Sequence, residues 1–288
     1  AGVGARSSNC IYALDPSEEK ALTVTSQSRL TASCGIVDDS GAYNAFNVES
    51  ESRISATSIS VTGGSNVTSG SSVSPAPNTQ SPPEPDPLGY LQAPSYGGCN
   101  HANRYKVSSG TATLNPGVYC GGIEIASGSN VTFRPGLYVL RANNSGGGLE
   151  VASGSTVRGT GVTFYNTNDP SYKDKYRPIL IASGSSADLS APTTGAMKDI
   201  LFFQDRNAGK PGEIYMNLIQ SNINARFTGV MYFPTQILAL AASNSTVTVT
   251  GAVIARTIMI ESGSNVIVNG NSSGTPGNTP LKRLSLVE

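Results

Sequence analysis

Most of this chain is one short phrase written over and over, and that repetition limits the folds open to it more than any single motif does. In Ile123 to Phe133, IEIASGSNVTF, two apolar residues alternate with polar ones, a Ser-Gly-Ser bend follows, and a second alternation begins. The phrase returns from Leu149 (LEVASGSTVRG), Ile179 (ILIASGSSADL) and Ile258 (IMIESGSNVIV). Looser copies start at Leu22, Phe46, Ile59, Tyr105, Leu218 and Leu238, making ten occurrences in 288 residues. Alternation with period two marks a strand with one face inward, and the helical spacing i, i+3, i+4 is hard to find anywhere. The copies at Leu22 and Phe46 lie 24 residues apart and align almost residue for residue. A repeat of that length without helices cannot bury its apolar face alone, so successive copies must stack as coils.

A second phrase completes each coil. LNPGVYC at Leu114 and FRPGLYV at Phe133 place Pro-Gly before an apolar pair. Pro fixes φ at the second turn position and Gly takes positive φ at the third. Later coils keep the place with GTGVTFY ending at Tyr165, FTGVMYF ending at Phe233 and VTGAVIA ending at Ala255. One coil is therefore strand, Ser-Gly bend, strand, Gly turn, strand. The predicted fold is all-β: a right-handed parallel β-helix (β-solenoid) with three short strands per coil and about ten coils. At roughly 4.8 Å per coil this gives a rod of about 40 to 50 Å. Leu22, Val24, Phe46 and Val48 are expected inward; Arg29, Arg53, Glu49 and Glu51 outward, on a solvated face.

The chain is expected to form one domain over 1–288. N-terminal coils span 1–68, a Pro-rich excursion 69–104, the main coils 105–270, and a capping tail 271–288. The excursion holds seven of the seventeen prolines, so it supplies no central strands. Four cysteines fall as two local pairs, Cys10 with Cys34 and Cys99 with Cys120. Of three connectivities the two local bridges are favoured. Because Cys99 can then bond to Cys120, the excursion should lie back along the solenoid wall. An end of a solenoid exposes unpaired backbone, and the Cys10–Cys34 segment is the candidate cap opposite the C-terminal tail.

Lys+Arg and Asp+Glu both number 19. A surface without net sign gives no electrostatic case for nucleic acid or an anionic membrane as partner. No stretch approaches the roughly 18 to 20 apolar residues that span a bilayer, and the opening residues lack the features of a signal peptide. The reading is a soluble chain, in an oxidising compartment if the disulfides form. Metal binding is the weaker reading of the cysteines, since there is no CxxC and the single histidine, His101, has no further ligands near it in sequence.

Catalytic candidates are few. His101 lacks a nucleophile elbow such as G-x-S-x-G. Parallel β-helices that cut polysaccharides need clustered carboxylates and, for lyases, a basic residue. The nearest constellation is Asp205 and Arg206 with Lys210 and Glu213, which an outward salt-bridged turn explains as well. Asp38-Asp39 reads as a turn. Two insertions, 166–178 and 191–198, bulge from the coils, and Tyr165, Tyr172, Tyr176 and Arg177 offer a surface for a sugar ring or, equally, a cover for the coils beneath. Threonine rows suited to ice are supplied only by Thr246, Thr248 and Thr250. No phosphate loop or calcium nonapeptide occurs, and no cofactor or metal site is expected.

CIYALDP at Cys10, CGIVDDS at Cys34, PDPLGYLQAP at Pro85, NPGVYCGGI at Asn115, ILFFQDR at Ile200, GVMYFP at Gly229 and the terminal LVE resemble the C-terminal region of bacterial TadE/TadG-like proteins of the Tad (Flp) pilus-assembly system. The resemblance covers essentially the whole chain. It implies an extracellular, cell-surface or periplasmic module, with an anchor expected upstream. It carries over no catalytic residue. The partners it implies are other pilus or cell-surface components, with glycans or self-association as further options. The leading expectation is a non-catalytic structural or adhesive module; the alternative is a carbohydrate-binding or carbohydrate-active β-helix, a polysaccharide lyase or glycoside hydrolase, with Asp205, Arg206 and Glu213 as its site.

Overall fold

The computed structural model describes residues 9–221 and 223–270. In them the repeated phrases wind into ten stacked coils of a parallel β-helix, three strand positions to a coil. The first ladder, made of strands that precede the Ser-Gly bend, begins with Tyr105–Val107, Ile123–Ile125, Leu149–Val151, Ile179–Ile181 and Met216–Ile219. The second begins with Thr111–Leu114, Asn130–Phe133, Thr156–Thr160 and Ser186–Ser190. The third begins with Gly117–Cys120, Gly136–Ala142, Val162–Asn168 and Ile200–Gln204. In Val230–Leu240 and Val253–Ile260 one strand continues through the corner from the third ladder into the next first-ladder position.

The bend phrase has a local cause. Gly128, Gly154, Gly184 and Gly263 sit at φ of +73°, +72°, +72° and +68°, where a side chain is strained. The serine after each glycine turns inward: Ser129, Ser155, Ser185 and Ser264 are buried, as are the matching Ser28 and Ser52. Except at Ser129, whose hydroxyl is unpartnered, their oxygens serve the corners themselves. Ser155 Oγ donates to Ala126 O at 2.9 Å, and the amides of Ser264 and Ser28 donate to Ser28 Oγ and Ser52 Oγ, each at 3.2 Å. Between these corners the interior is apolar. Ile123, Leu149 and Ile258 are all buried. Tyr138, Phe164, Phe202 and Phe233 form an aromatic column with successive ring centroids 5.4, 5.5 and 6.0 Å apart. Leu22, Val24, Phe46 and Val48 face inward as expected, and Arg29, Arg53 and Glu51 are exposed.

The coils do not follow one another along the rod in chain order. After Asn265–Asn269 the stack is continued by the beginning of the chain. Arg29–Ala32 pairs with Asn265–Asn269, Leu22–Val24 with residues 258–260, and Asn9–Ala13 with residues 253–255. From there the rod runs through Gly35–Asp38, Phe46–Val48, Arg53–Ser55 and Ser58–Val61 to Ser65–Val67 and Ser72–Ser74. The Cys10–Cys34 segment is therefore not an end cap. Its disulfide is formed, as is Cys99–Cys120, but it lies inside the stack, beside the seam where Gly270 meets the chain start. Every coil carries the same bend and strands, so periodicity says that coils stack without saying which follows which. The coils also persist to Ser74, beyond the expected boundary at 68. The expected capping tail, 271–288, lies outside the described residues.

The Pro-rich segment closes the circuit by returning along the outside of the third ladder. Asn78 bridges to Ser60 at one end of the rod, and His101 bridges to Tyr119 at the other. Between them, the Glu84 amide donates to Asp39 Oδ1 at 2.8 Å, Tyr232 OH to Asp86 Oδ2 at 2.6 Å, and Tyr96 packs on Tyr165 with centroids 5.9 Å apart. This strap has a physical reason. Tyr165, Phe203, Tyr232, Ile254, Tyr12 and Val37 form one outward file in register, and all are buried. Third-ladder strands are thus apolar on both faces, the condition that makes ILFFQ and VMYF continuous apolar runs. Leu88 of the strap is itself fully buried.

Candidate functional site

Two of the three residues expected to form a catalytic site lie by the strap, where the third-ladder strand Ile200–Gln204 ends. Its last residues run into a turn carrying Asp205 and Arg206. Asp205 Oδ2 accepts from Tyr165 OH at 3.0 Å and from Thr167 Oγ1 at 2.6 Å, and Oδ1 accepts the Asn207 amide at 2.9 Å. Burial, followed by the adjacent Asp205 carboxylate, pushes the Tyr165 phenol well above its ordinary range. Arg206 turns to the strap. Its Nε donates to Tyr232 OH at 2.8 Å, Nη1 to Leu91 O at 2.9 Å and Nη2 to Leu88 O at 2.6 Å. The guanidinium also lies over the rings of Phe203 and Tyr232, 5.6 and 5.0 Å from their centroids. Glu213 is elsewhere, on an exposed loop, bonded to Lys210 at 2.9 Å and to Tyr215 OH at 2.8 Å.

A cavity of about 290 Å³ adjoins this point, lined by Lys173, Arg206, Lys210, Glu213, Gln236 and Arg256 among others. Asp205 does not line it. The expected trio is therefore split, with Arg206 and Glu213 facing the cavity and Asp205 turned to the coil. Three of the cavity's four cations have carboxylate partners, two of them from outside it. Arg256 pairs with Asp15 and Glu18, Arg206 approaches Asp86, and Lys210 pairs with Glu213.

The four residues read as a stacking surface are not one surface. Tyr165 and Tyr176 are buried, Tyr176 receiving the Asn166 amide at 3.1 Å and packing on Tyr215 at 4.9 Å. Tyr172 is exposed, and Arg177 donates to the backbone oxygens of Asp174 and Tyr176. Cover for the coils is what this insertion supplies at Tyr176. His101 stacks on Tyr119 with centroids 4.5 Å apart. Glu49 pairs with Lys20 and Glu51 bonds Gln27, so the two carboxylates each serve the solvated wall. Among the described residues no three His, Cys, Asp or Glu side chains converge on a point suited to a metal ion.

Asp38 and Asp39 are more than a surface turn. Asp38 is fully buried, its Oδ1 accepts the Ser40 amide at 3.1 Å, and its Oδ2 has no partner. Burial pushes its carboxyl up to about 7, and that of Asp39 up to about 6. The partners that sequence reading missed are Glu84, Asp86 and Tyr232. A signal for the first two existed in PPEPDP, where two acidic residues sit in a segment that its prolines hold extended.

No family model, no curated protein and no solved structure matches this chain. Among the described residues no helix is long and apolar enough to cross a membrane.

Proposed function

We propose that this chain is a non-catalytic structural or adhesive module of an extracellular, cell-surface protein, of the pilus-associated kind its motifs resemble. The observation that carries the reading is the employment of Asp205 and Arg206. Three donors hold the Asp205 carboxylate against the coil, engaging both its oxygens, and Arg206 fastens the strap by three hydrogen bonds. A general acid or base must have a free position within hydrogen-bond reach of substrate, and a lyase base must be free to take a proton. Two disulfides and a wall of short polar side chains fit an oxidising, exterior setting. The pilus association rests on the order of the sequence motifs alone.

The test is turnover. The full chain is offered a broad panel of acidic and neutral polysaccharides, with product release followed by reducing ends and by absorbance of unsaturated sugars. No turnover is expected, together with no difference between the wild type and Asp205→Asn or Glu213→Gln. Cleavage that Glu213→Gln abolishes in a folded protein would establish the carbohydrate-active alternative instead.

A further inference from the structure

Among the described residues nothing pairs with the outer side of the first- and second-ladder strands at either end of the rod, and one of these ends lacks the usual protection. At one end, Ser65–Val67 and Ser72–Ser74 each pair on a single side, with Phe46–Val48 and Arg53–Ser55. At the other, Tyr105–Val107 and Thr111–Leu114 pair only with Ile123–Ile125 and Asn130–Phe133. The strap occupies the third-ladder position at both ends, through Asn78 and His101, and leaves the first and second ladders uncovered. Val67 is 40% exposed although its register partner Val48 is fully buried. Edge strands are ordinarily guarded by charge, yet no charged residue lies between Arg53 and Glu84. Asn9 and Gly270, where the described chain begins and stops, meet at the mid-rod seam rather than at this edge.

The molecule already contains the contact such an edge would make. At the seam the coils of 105–270 accept those of 9–74 through parallel pairing over three first-ladder, four second-ladder and three third-ladder positions, with Arg256 pairing to Asp15 and Glu18 beside it. Among the described residues no chain connection crosses this interface; the strap, going round outside, joins the two halves. Coil upon coil without covalent continuity is thus a stable contact in this fold.

We propose that the rod extends end to end onto a second copy of this chain, the Ser65–Val67 and Ser72–Ser74 edge of one copy continuing into the Tyr105–Val107 and Thr111–Leu114 edge of the next. All ladders are parallel, so this head-to-tail register preserves strand direction. It places Val67 over Val107, Asn66 beside Lys106 and Ser72 beside Thr111, with no like charges meeting. The contact joins two different surfaces, so it does not close on itself and gives open filaments. The proposal goes beyond the non-catalytic reading, which the turnover assay tests separately.

The experiment is sedimentation velocity on the full chain over a wide concentration range, with electron microscopy of the same samples. Species growing by whole rod lengths along one axis are expected as concentration rises. Asn66→Lys with Ser72→Glu and Thr111→Glu sets like charges at two positions of the joint and should weaken association on the order of tenfold. Asn66→Asp with Ser72→Lys and Thr111→Glu sets opposite charges there and should restore it. Circular dichroism confirms that both variants fold. A wild type that stays monomeric at millimolar concentration overturns the proposal, as does association indifferent to both variants. Slow amide exchange at Val67 and Val73 in dilute, monomeric protein would overturn it as well, because the edge would then be covered by its own chain.

Discussion

A left-handed residue turns the coil at the bend before Ser28, Ser52, Ser129, Ser155, Ser185 and Ser264, and side chains tolerate that place unequally. At Gly128 φ is +73° and nothing stands within 4 Å of where a Cβ would go. Gly128→Ala therefore introduces backbone strain alone and should cost about 1 kcal/mol in denaturant unfolding. The same place is held by Gln27 at φ +60° and Glu51 at φ +58°, joined by one exposed hydrogen bond of 3.2 Å. Gln27→Gly is expected to raise stability by roughly 0.5 kcal/mol, relief of strain outweighing the added freedom of the unfolded chain. A loss as large as that of Gly128→Ala would contradict this account of the bend. The buried carboxyls titrate in a defined direction. Asp38 and Asp39, raised from 3.8 to about 7 and about 6, hold extra protons in the folded state. Their contribution is complete at low pH and is lost as pH climbs through those values. Asp15 acts oppositely. Burial pushes it up, but the Ser17 and Glu18 amides and Arg256 outweigh burial and lower it, so its contribution disappears on acidification. Tm should peak at about pH 4, and Asp38→Asn should flatten the decline between about pH 4 and 7. A wild-type Tm rising steadily across that interval would refute the assignment. The bend was legible in sequence because its causes are local. The burial of Asp38 was not, since DDSG has turn composition and its cover comes from neighbouring coils.

Elements, unlike bends, are placed by what covers them. The Pro-rich segment was recognisable as an extended excursion, and the Cys99–Cys120 bridge pointed it back along the wall. What it covers was also written in the sequence, in third-ladder strands that are apolar on both faces, such as ILFFQ. What holds it was not legible, because Arg206 and the carbonyls it binds are 115 and 118 residues apart. The fastening makes a specific prediction. Arg206→Ala removes donors to Leu88 O, Leu91 O and Tyr232 OH together and should cost about 1 to 3 kcal/mol. Amide exchange and protease cleavage should accelerate over residues 85–95 while the coil amides stay protected. Tyr232→Phe keeps the ring on Phe203 but removes the hydroxyl between Arg206 and Asp86, and should loosen the same residues by a smaller amount. If exchange accelerated equally in the coils and the strap, the strap would be integral to the stack and not an outer fastening.

For the molecule as a whole, the seam is the feature that periodicity conceals, because interchangeable coils leave their spatial order undetermined. Its geometry nevertheless predicts how the chain can be rewired. Gly270 lies at the Cys10–Cys34 bridge, close enough that a Cβ on it would be 3.5 Å from Cys10 Sγ. The spiral is thus continuous in space from Tyr105 through the seam to Ser74, with the strap as its return path. A chain in which Gly270 is joined by a short linker to Asn9, and which is opened between Gly97 and Gly98, keeps every ladder contact. Those two glycines are exposed, with nothing within 4 Å of their Cβ positions. Such a permuted chain should fold with the same far-ultraviolet dichroism, form both disulfides, and melt within ~5 °C of the original. Its new covalent link runs along a path the coils already follow, so it asks for no rearrangement of the stack. If instead it failed to fold while the same opening tolerated an inserted loop, the pairing of 9–74 onto the coil at 253–269 would be wrong.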